Sequence, residues 1–217
     1  MTDVAPRAQR ADARRNRERV LEAAEAVFSE AGLKAQIDEV ARRAGVGVGT
    51  VCRNFPTKQA LLESVLTSMY TSLLEQAEEA LRNAEPAAAF EQFVLALSQF
   101  QARHRAFAEQ MASESVLPET AHELRDALTS TIARLVAGAQ AAGTVRDDIG
   151  PADVSLLFSG VAHATGVAGD FQPALRERYV RLILDGLRPA VASKLPGEPL
   201  DFAQLRRIKN AKVRKAK

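Results

Sequence analysis

What the chain lacks narrows its chemistry. A single cysteine, Cys52, leaves no partner for an internal disulfide. That suits a reducing compartment, and the cytoplasm is the expected location. No apolar run follows the basic residues near the N-terminus, so no signal peptide is expected. No uninterrupted apolar stretch reaches the ~18 residues a membrane span needs. There is no glycine-rich phosphate loop, no Gly-x-Ser-x-Gly elbow and no His/Cys/Asp cluster at metal-binding spacing. The histidines, His104, His122 and His163, are scattered. The chain is therefore expected not to be an enzyme and to use no metal or cofactor. Arg146-Asp147-Asp148 fits a turn held by salt bridges better than a catalytic site. Aromatic residues make up only 5 %, and strand-like segments are few. With Ala and Leu abundant, that composition favours an all-α fold.

The 217 residues are 47 % apolar, enough to bury a core in one or two domains. The net charge of +2 hides an asymmetry: residues 1–60 carry +3, residues 61–205 carry −8, and residues 206–217 carry +7. Polyanion contact is expected at the ends and not in the middle.

Apolar spacings of three and four predict about nine helices, near 13–31, 36–44, 48–54, 58–82, 87–103, 105–115, 119–142, 152–169 and 173–192. Gly32, Gly45, Pro56, Pro86, Pro118, Gly143, Gly150-Pro151 and Pro173 punctuate them. Thr57 suits the N-cap of the fourth helix. Residues 1–12 look like a disordered basic arm, 13–62 an N-terminal head, 63–192 a body, and 193–217 a flexible basic tail beginning around Pro196, Gly197 and Pro199.

The most informative segment runs from Val40 to Val51. A helix-turn-helix needs a small residue where its two helices cross, a turn residue that accepts positive φ, and apolar anchors around the crossing. Ala41, Gly45, and Val40, Val46 and Val51 meet those needs in order. The surrounding residues extend the pattern: Arg19 to Ala24, Val27-Phe28, Gly32, Asp38 to Ala41, Ala44 to Val46, Gly49 to Val51, Phe55, Lys58 and Ala60 to Leu62. Together, residues 17–66 resemble the TetR family of repressors. The resemblance implies an all-helical homodimer, with three helices and the start of a fourth forming the DNA head. The remainder would bind a small-molecule effector and dimerise. Two positions depart from the family pattern: Cys52 stands where tyrosine is usual, and Asn54 where histidine is frequent. The link after Gly32 also looks one residue short and lacks the usual Ser/Thr.

A recognition helix offers its N-terminal residues to base edges in the major groove. Here those are Val48, Gly49, Thr50 and Arg53. Gly47 and Gly49 allow close backbone approach. Thr50 could reach a phosphate or a thymine methyl, and Arg53 a guanine or, with slight preference, a phosphate. Lys58 resembles the family's phosphate-binding lysine. Arg42 fits a solvated face or a phosphate contact equally. Arg14 belongs to a basic group with Arg7, Arg10 and Arg15 that could enter a minor groove or simply solubilise the chain. Cys52 is either a small apolar replacement or, less favoured, a thiol whose oxidation would abolish DNA binding. The tail from Arg206 to Lys217 could add non-specific DNA affinity or dangle.

In the body, the resemblance implies that the last two helices pair with their copies in a four-helix bundle, which suits a palindromic operator on double-stranded DNA. The expected interface residues are Leu156, Leu157, Gly160, Val161, Ala164, Val180, Leu184 and Leu187. The expected effector pocket is lined by Phe93, Leu97, Phe100, His104, Phe107, Met111, Leu128, Phe158 and His163. For each of these, ordinary core packing is the competing reading. Few aromatics and few pocket-like charges point to a mostly apolar effector. A helical protein-interaction module remains the alternative to a regulator; sequence-selective, salt-dependent DNA binding separates the two.

Overall fold

Local sequence explains most helix ends in the structure, a computed structural model that describes residues 5–108, 119–165, 172–191, 193–205 and 207. The fold is all-α. Its helices are α1 (Ala5–Ala31), α2 (Ile37–Ala44), α3 (Val48–Asn54), α4 (Lys58–Asn83), α5 (Pro86–Arg103), α6 (Glu119–Ala141), α7 (Pro151–Thr165) and α8 (Gln172–Gly186). Short 3-10 turns cover Gly32–Lys34 and Pro189–Val191. Residues 105–108 are helical, and the rest of the helix expected there lies outside the described residues. None of the described helices is long and apolar enough to cross a membrane.

Helix α1 begins at Ala5, eight residues before the expected start, so most of the supposed disordered arm is helical. Pro6 falls in the first turn, where no amide donor is needed. The Ala, Arg and Gln residues behind it are strong helix formers.

The chain divides into two units. The first comprises residues 1–70 with 106–123, and the second residues 71–105 with 124–217. The first unit thus extends past the expected boundary at residue 62. Its core is built from Val20, Ala24, Val27 and Phe28 of α1, Val40 and Ala41 of α2, Val51 of α3, Phe55, and Leu61, Leu62, Val65 and Leu66 of α4. Met69 and Tyr70 pack against it, and Phe107 and Ala121 complete it.

In the second unit α5 packs against α7 and α8. Phe90, Phe93, Val94 and Leu97 of α5, Leu135 and Val136 of α6, Val154 and Phe158 of α7, and Val180 of α8 are all buried. The loop before α7 carries Arg146, whose side chain is 8 % exposed and ion-paired to Asp148. Arg146 Nη2 donates to Asp148 Oδ2 at 2.8 Å and also to the Ser193 carbonyl. The Arg146 hydrogen bond, together with the Leu195 amide, holds the Asp148 carboxyl well below the usual carboxylate range. The turn expected at Arg146 to Asp148 is therefore present, and its salt bridge is real.

Residues 193–205, expected to be a loose tail, dock on this loop as a strap. Asp148 Oδ2 accepts the Leu195 amide at 3.2 Å. Asp153 Oδ2 accepts the amides of Gly150 at 2.8 Å and Leu200 at 2.9 Å. Asp153 is the third residue of α7, so it caps the helix and holds the strap with one oxygen. Leu205 is buried at the far end. Pro196, Gly197 and Pro199 signal a turn in sequence, but carboxylates distant in sequence capture the backbone beyond it.

Gly150 is where strap and loop come closest: a Cβ there would lie 3.0 Å from the Leu200 carbonyl carbon and nearer still to its oxygen. Gly150→Ala is expected to destabilise the protein by about 1–3 kcal/mol, as overpacking does, and to open residues 193–205 to proteolysis. Urea unfolding with limited proteolysis checks this. Wild-type stability and protection would mean that the strap yields without cost.

Candidate DNA interface

The turn between α2 and α3 is set by Gly45, at φ 66° and ψ 36°. Its amide donates to the Arg42 carbonyl at 3.2 Å, and the Val46 amide to the Ala41 carbonyl at 3.0 Å. This is the Schellman pair, which needs a residue in the left-handed region and so favours glycine. Ala41 and Val51 are buried at the crossing, and Val46 packs against the same core. Helix α3 is thereby pinned by its inner face.

Its outer face is open. Val48 is 45 % exposed, and Gly49, Cys52, Arg53 and Asn54 are exposed beside it. Gly47 is the N-cap, with extended backbone, and its carbonyl accepts the Thr50 amide at 2.8 Å. A Cβ at Gly47 or Gly49 would meet no atom within 4 Å. Packing within the chain therefore does not require either glycine, although Gly49 costs helix stability.

The polar side chains of α3 lie along the helix. Arg53 Nε donates to the Gly49 carbonyl at 3.0 Å, and Asn54 Nδ2 to the Thr50 carbonyl at 2.8 Å. Thr50 is half-buried, with Oγ1 3.5 Å from Arg53 Nη2. The Cys52 thiol is exposed. Lys58 Nζ donates to the Leu33 carbonyl, tying the start of α4 to the 3-10 turn. That bond explains a cation at an otherwise unfavourable helix N-terminus. Thr57 Oγ1 accepts the Ala60 amide at 3.0 Å, so the expected cap is made.

Arg42 is exposed and paired with Glu39 at 2.6 Å. Arg14 is exposed, 3.5 Å from Glu18. Two cations outside the expected set organise this unit. Arg43 pairs with Glu30 at 2.8 Å, linking α2 to α1. Arg17 lies 5.2 Å from the centre of the Phe55 ring, a cation–π contact. Neither follows from local spacing, since each joins residues distant in sequence.

The other expected sites divide. Phe93, Leu97, Leu128 and Phe158 are buried in the second unit. Phe100 and His104 are half-buried with their rings 4.5 Å apart, and His163 is exposed. Phe107 instead joins the core of the first unit, and Met111 lies outside the described residues. A cleft of about 840 Å³ opens elsewhere in the second unit, where α5 begins and α8 ends. Phe90, Val145, Leu184 and Pro189 give it an apolar lining, and Glu91, Arg181, Asp185 and Arg188 give it charges that balance.

Of the expected interface residues, Leu156, Leu157, Gly160 and Ala164 of α7 are exposed. Val161, Val180 and Leu187 are not: they fill the subunit's own core, and Leu184 lines the cleft. Among the described residues, the exposed large apolar side chains of α8 are Tyr179 and Leu182, which were outside the expected interface set.

The family model for bacterial regulatory proteins of the tetR family matches residues 20–65. The model for the C-terminal domain of SbtR-like transcriptional regulators matches residues 85–189. Among solved structures, a TetR transcription regulatory protein from Mycobacterium vanbaalenii is 37 % identical with a TM-score of 0.61; the match covers 83 % of this chain and 99 % of that one. A TetR transcriptional regulator from Streptomyces coelicolor is 32 % identical with a TM-score of 0.64, over 81 % of this chain and 99 % of that one. A tetR-family regulatory protein from Rhodococcus RHA1, 21 % identical with a TM-score of 0.60 over 80 % of this chain and 97 % of that one, shares the fold. No curated relative matches the chain. An open recognition helix pinned by its inner face, and likeness along both units, lead to one conclusion: the chain belongs to the TetR family of DNA-binding transcriptional regulators and is not an enzyme.

Proposed function

We propose that the protein is a cytoplasmic repressor that binds a palindromic operator as a homodimer and is released by a small, mostly apolar effector. The observation that carries this reading is the outer face of α3, where Gly47, Val48 and Gly49 stand open with no packing role for either glycine. Val48 and Thr50 suit contact with base edges, and Arg53, Lys58, Arg42 and Arg14 suit contact with phosphates. Arg53 and Lys58 would exchange their bonds to the Gly49 and Leu33 carbonyls for these.

The dimer reading is supported by the exposed apolar stripe of Leu156, Gly160 and Ala164 on α7 with Tyr179 and Leu182 on α8. Gly160 lies mid-helix with no atom within 4 Å of a Cβ, which leaves room for a second helix. The α5–α8 cleft is the better effector site than the close-packed interior first expected. Its size fits a small molecule, and its balanced charge favours no ion over an apolar body. Effector binding would act by favouring a body conformation in which the two recognition helices no longer match sites ~34–36 Å apart.

Selection from a random duplex pool, followed by anisotropy across salt, tests the reading. A palindromic winner held at least ~1,000-fold tighter than random DNA is expected. Equal binding to all duplexes would overturn it.

A further inference from the structure

Several cations of the first unit are already engaged. Arg14, Arg15, Arg42 and Arg43 face Glu18, Asp12, Glu39 and Glu30. Arg53 and Lys58 spend donors on the Gly49 and Leu33 carbonyls. Arg17 differs from all of these. Its guanidinium carbon lies 5.2 Å from the centre of the Phe55 ring, and no oxygen of the described residues accepts its donors.

The ring places this cation. Phe55 is the C-cap of α3 and only 3 % exposed, whereas Arg17 is exposed. The guanidinium therefore covers the outer side of the ring, where α3 ends in the exposed Arg53 and Asn54. A cation–π contact restrains the side chain through its charge and engages no acceptor oxygen. The planar fork of donors is left to use, and it matches a phosphate. Part of the rotamer freedom that binding would cost is already lost at the ring. Arg14, also exposed, stands one turn earlier on the same face of α1.

We propose that Arg17 is a phosphate clamp: held on Phe55, it grips the DNA backbone beside the C-terminal end of the recognition helix. A phosphate is favoured over a base edge because Val48 and Thr50, which suit base edges, lie toward the other end of α3. The clamp rests on the reading of the open face of α3 as the DNA-facing surface. The competing role is structural, since a cation at the end of α3 also meets the helix dipole favourably.

Arg17→Gln and Arg17→Lys are compared with the wild type by anisotropy, on a fixed random-sequence duplex and on the selected operator, across salt. One phosphate contact contributes about 0.9 to the slope of log K against log salt, so Arg17→Gln is expected to lower the slope by at least ~0.5 for each bound subunit. It should weaken both duplexes alike, by at least about threefold at ~100 mM salt. Arg17→Lys keeps the charge and should keep the slope while losing part of the affinity. A smaller change of slope in Arg17→Gln overturns the clamp. So does a loss confined to the operator, or a lowered urea midpoint with DNA binding intact; either would make Arg17 a brace of α3. If the wild type binds neither duplex, the reading of α3 falls and the clamp with it. Wild-type binding with an unaltered slope in Arg17→Gln removes the clamp alone.

Discussion

Leu182→Arg is expected to turn the protein into a monomer and to weaken operator binding by up to ~1,000-fold, the lower end of the gap between specific and non-specific binding. Leu182 is 55 % exposed in the subunit, so the substitution leaves its core alone. At a two-fold interface every residue acts twice. Two arginines brought close to each other would add like-charge repulsion to the lost apolar contact. Sedimentation at micromolar concentration reads the dimer directly, and circular dichroism verifies that the helices persist. A monomer with unchanged operator affinity would separate DNA binding from dimerisation. A persistent dimer would place the interface on another surface. Val180→Ala is the contrasting substitution: that side chain is 1 % exposed, so it should cost folding stability of about 1 kcal/mol or more and leave the association state in place.

That contrast shows where sequence stops being legible. Val180 and Leu184 of α8 form one apolar stripe with Leu187 just past the helix end, and Tyr179 and Leu182 belong to a second. Periodicity detects both but cannot tell which faces the subunit's own core and which faces water, since each is an ordinary apolar helix face. The α2–α3 turn was fully legible, because a left-handed residue after a short amphipathic helix leaves glycine as the natural choice and Gly45 was in place. The Thr57 cap was legible for the same local reason. The strap was not: Asp148 and Asp153 each reach an amide 47 positions away, and Pro and Gly in the segment signal only that a helix has ended. Phe107 illustrates the same limit, since its neighbours in the first unit's core come from distant parts of the chain. Local chemistry thus specified the recognition helix and its turn, whereas which apolar face of α8 is left open and how the strap docks depend on contacts no local pattern encodes.

Gly49→Ala is expected to move stability and function in opposite directions. A glycine inside a helix costs roughly 0.5–1 kcal/mol relative to alanine, and a methyl group here would meet no atom of the chain within 4 Å. Denaturant unfolding should therefore show the variant more stable by about that amount. On DNA the methyl would stand on the exposed face of α3, between Val48 and Cys52, where the backbone is to approach the duplex. A loss of at least tenfold on the selected operator, ~1.4 kcal/mol, is expected, with a much smaller loss on random duplex held by phosphate contacts alone. Fitness of the fold would favour alanine, so a glycine kept at this cost is explained by what α3 must fit against. If the variant binds the operator as tightly as wild type, the groove does not come close to Gly49, and the recognition surface must be shifted toward Arg53 and Asn54. If it is also no more stable, the open face of α3 is not free in solution, and the reading of this helix as an unobstructed DNA-facing surface fails with it.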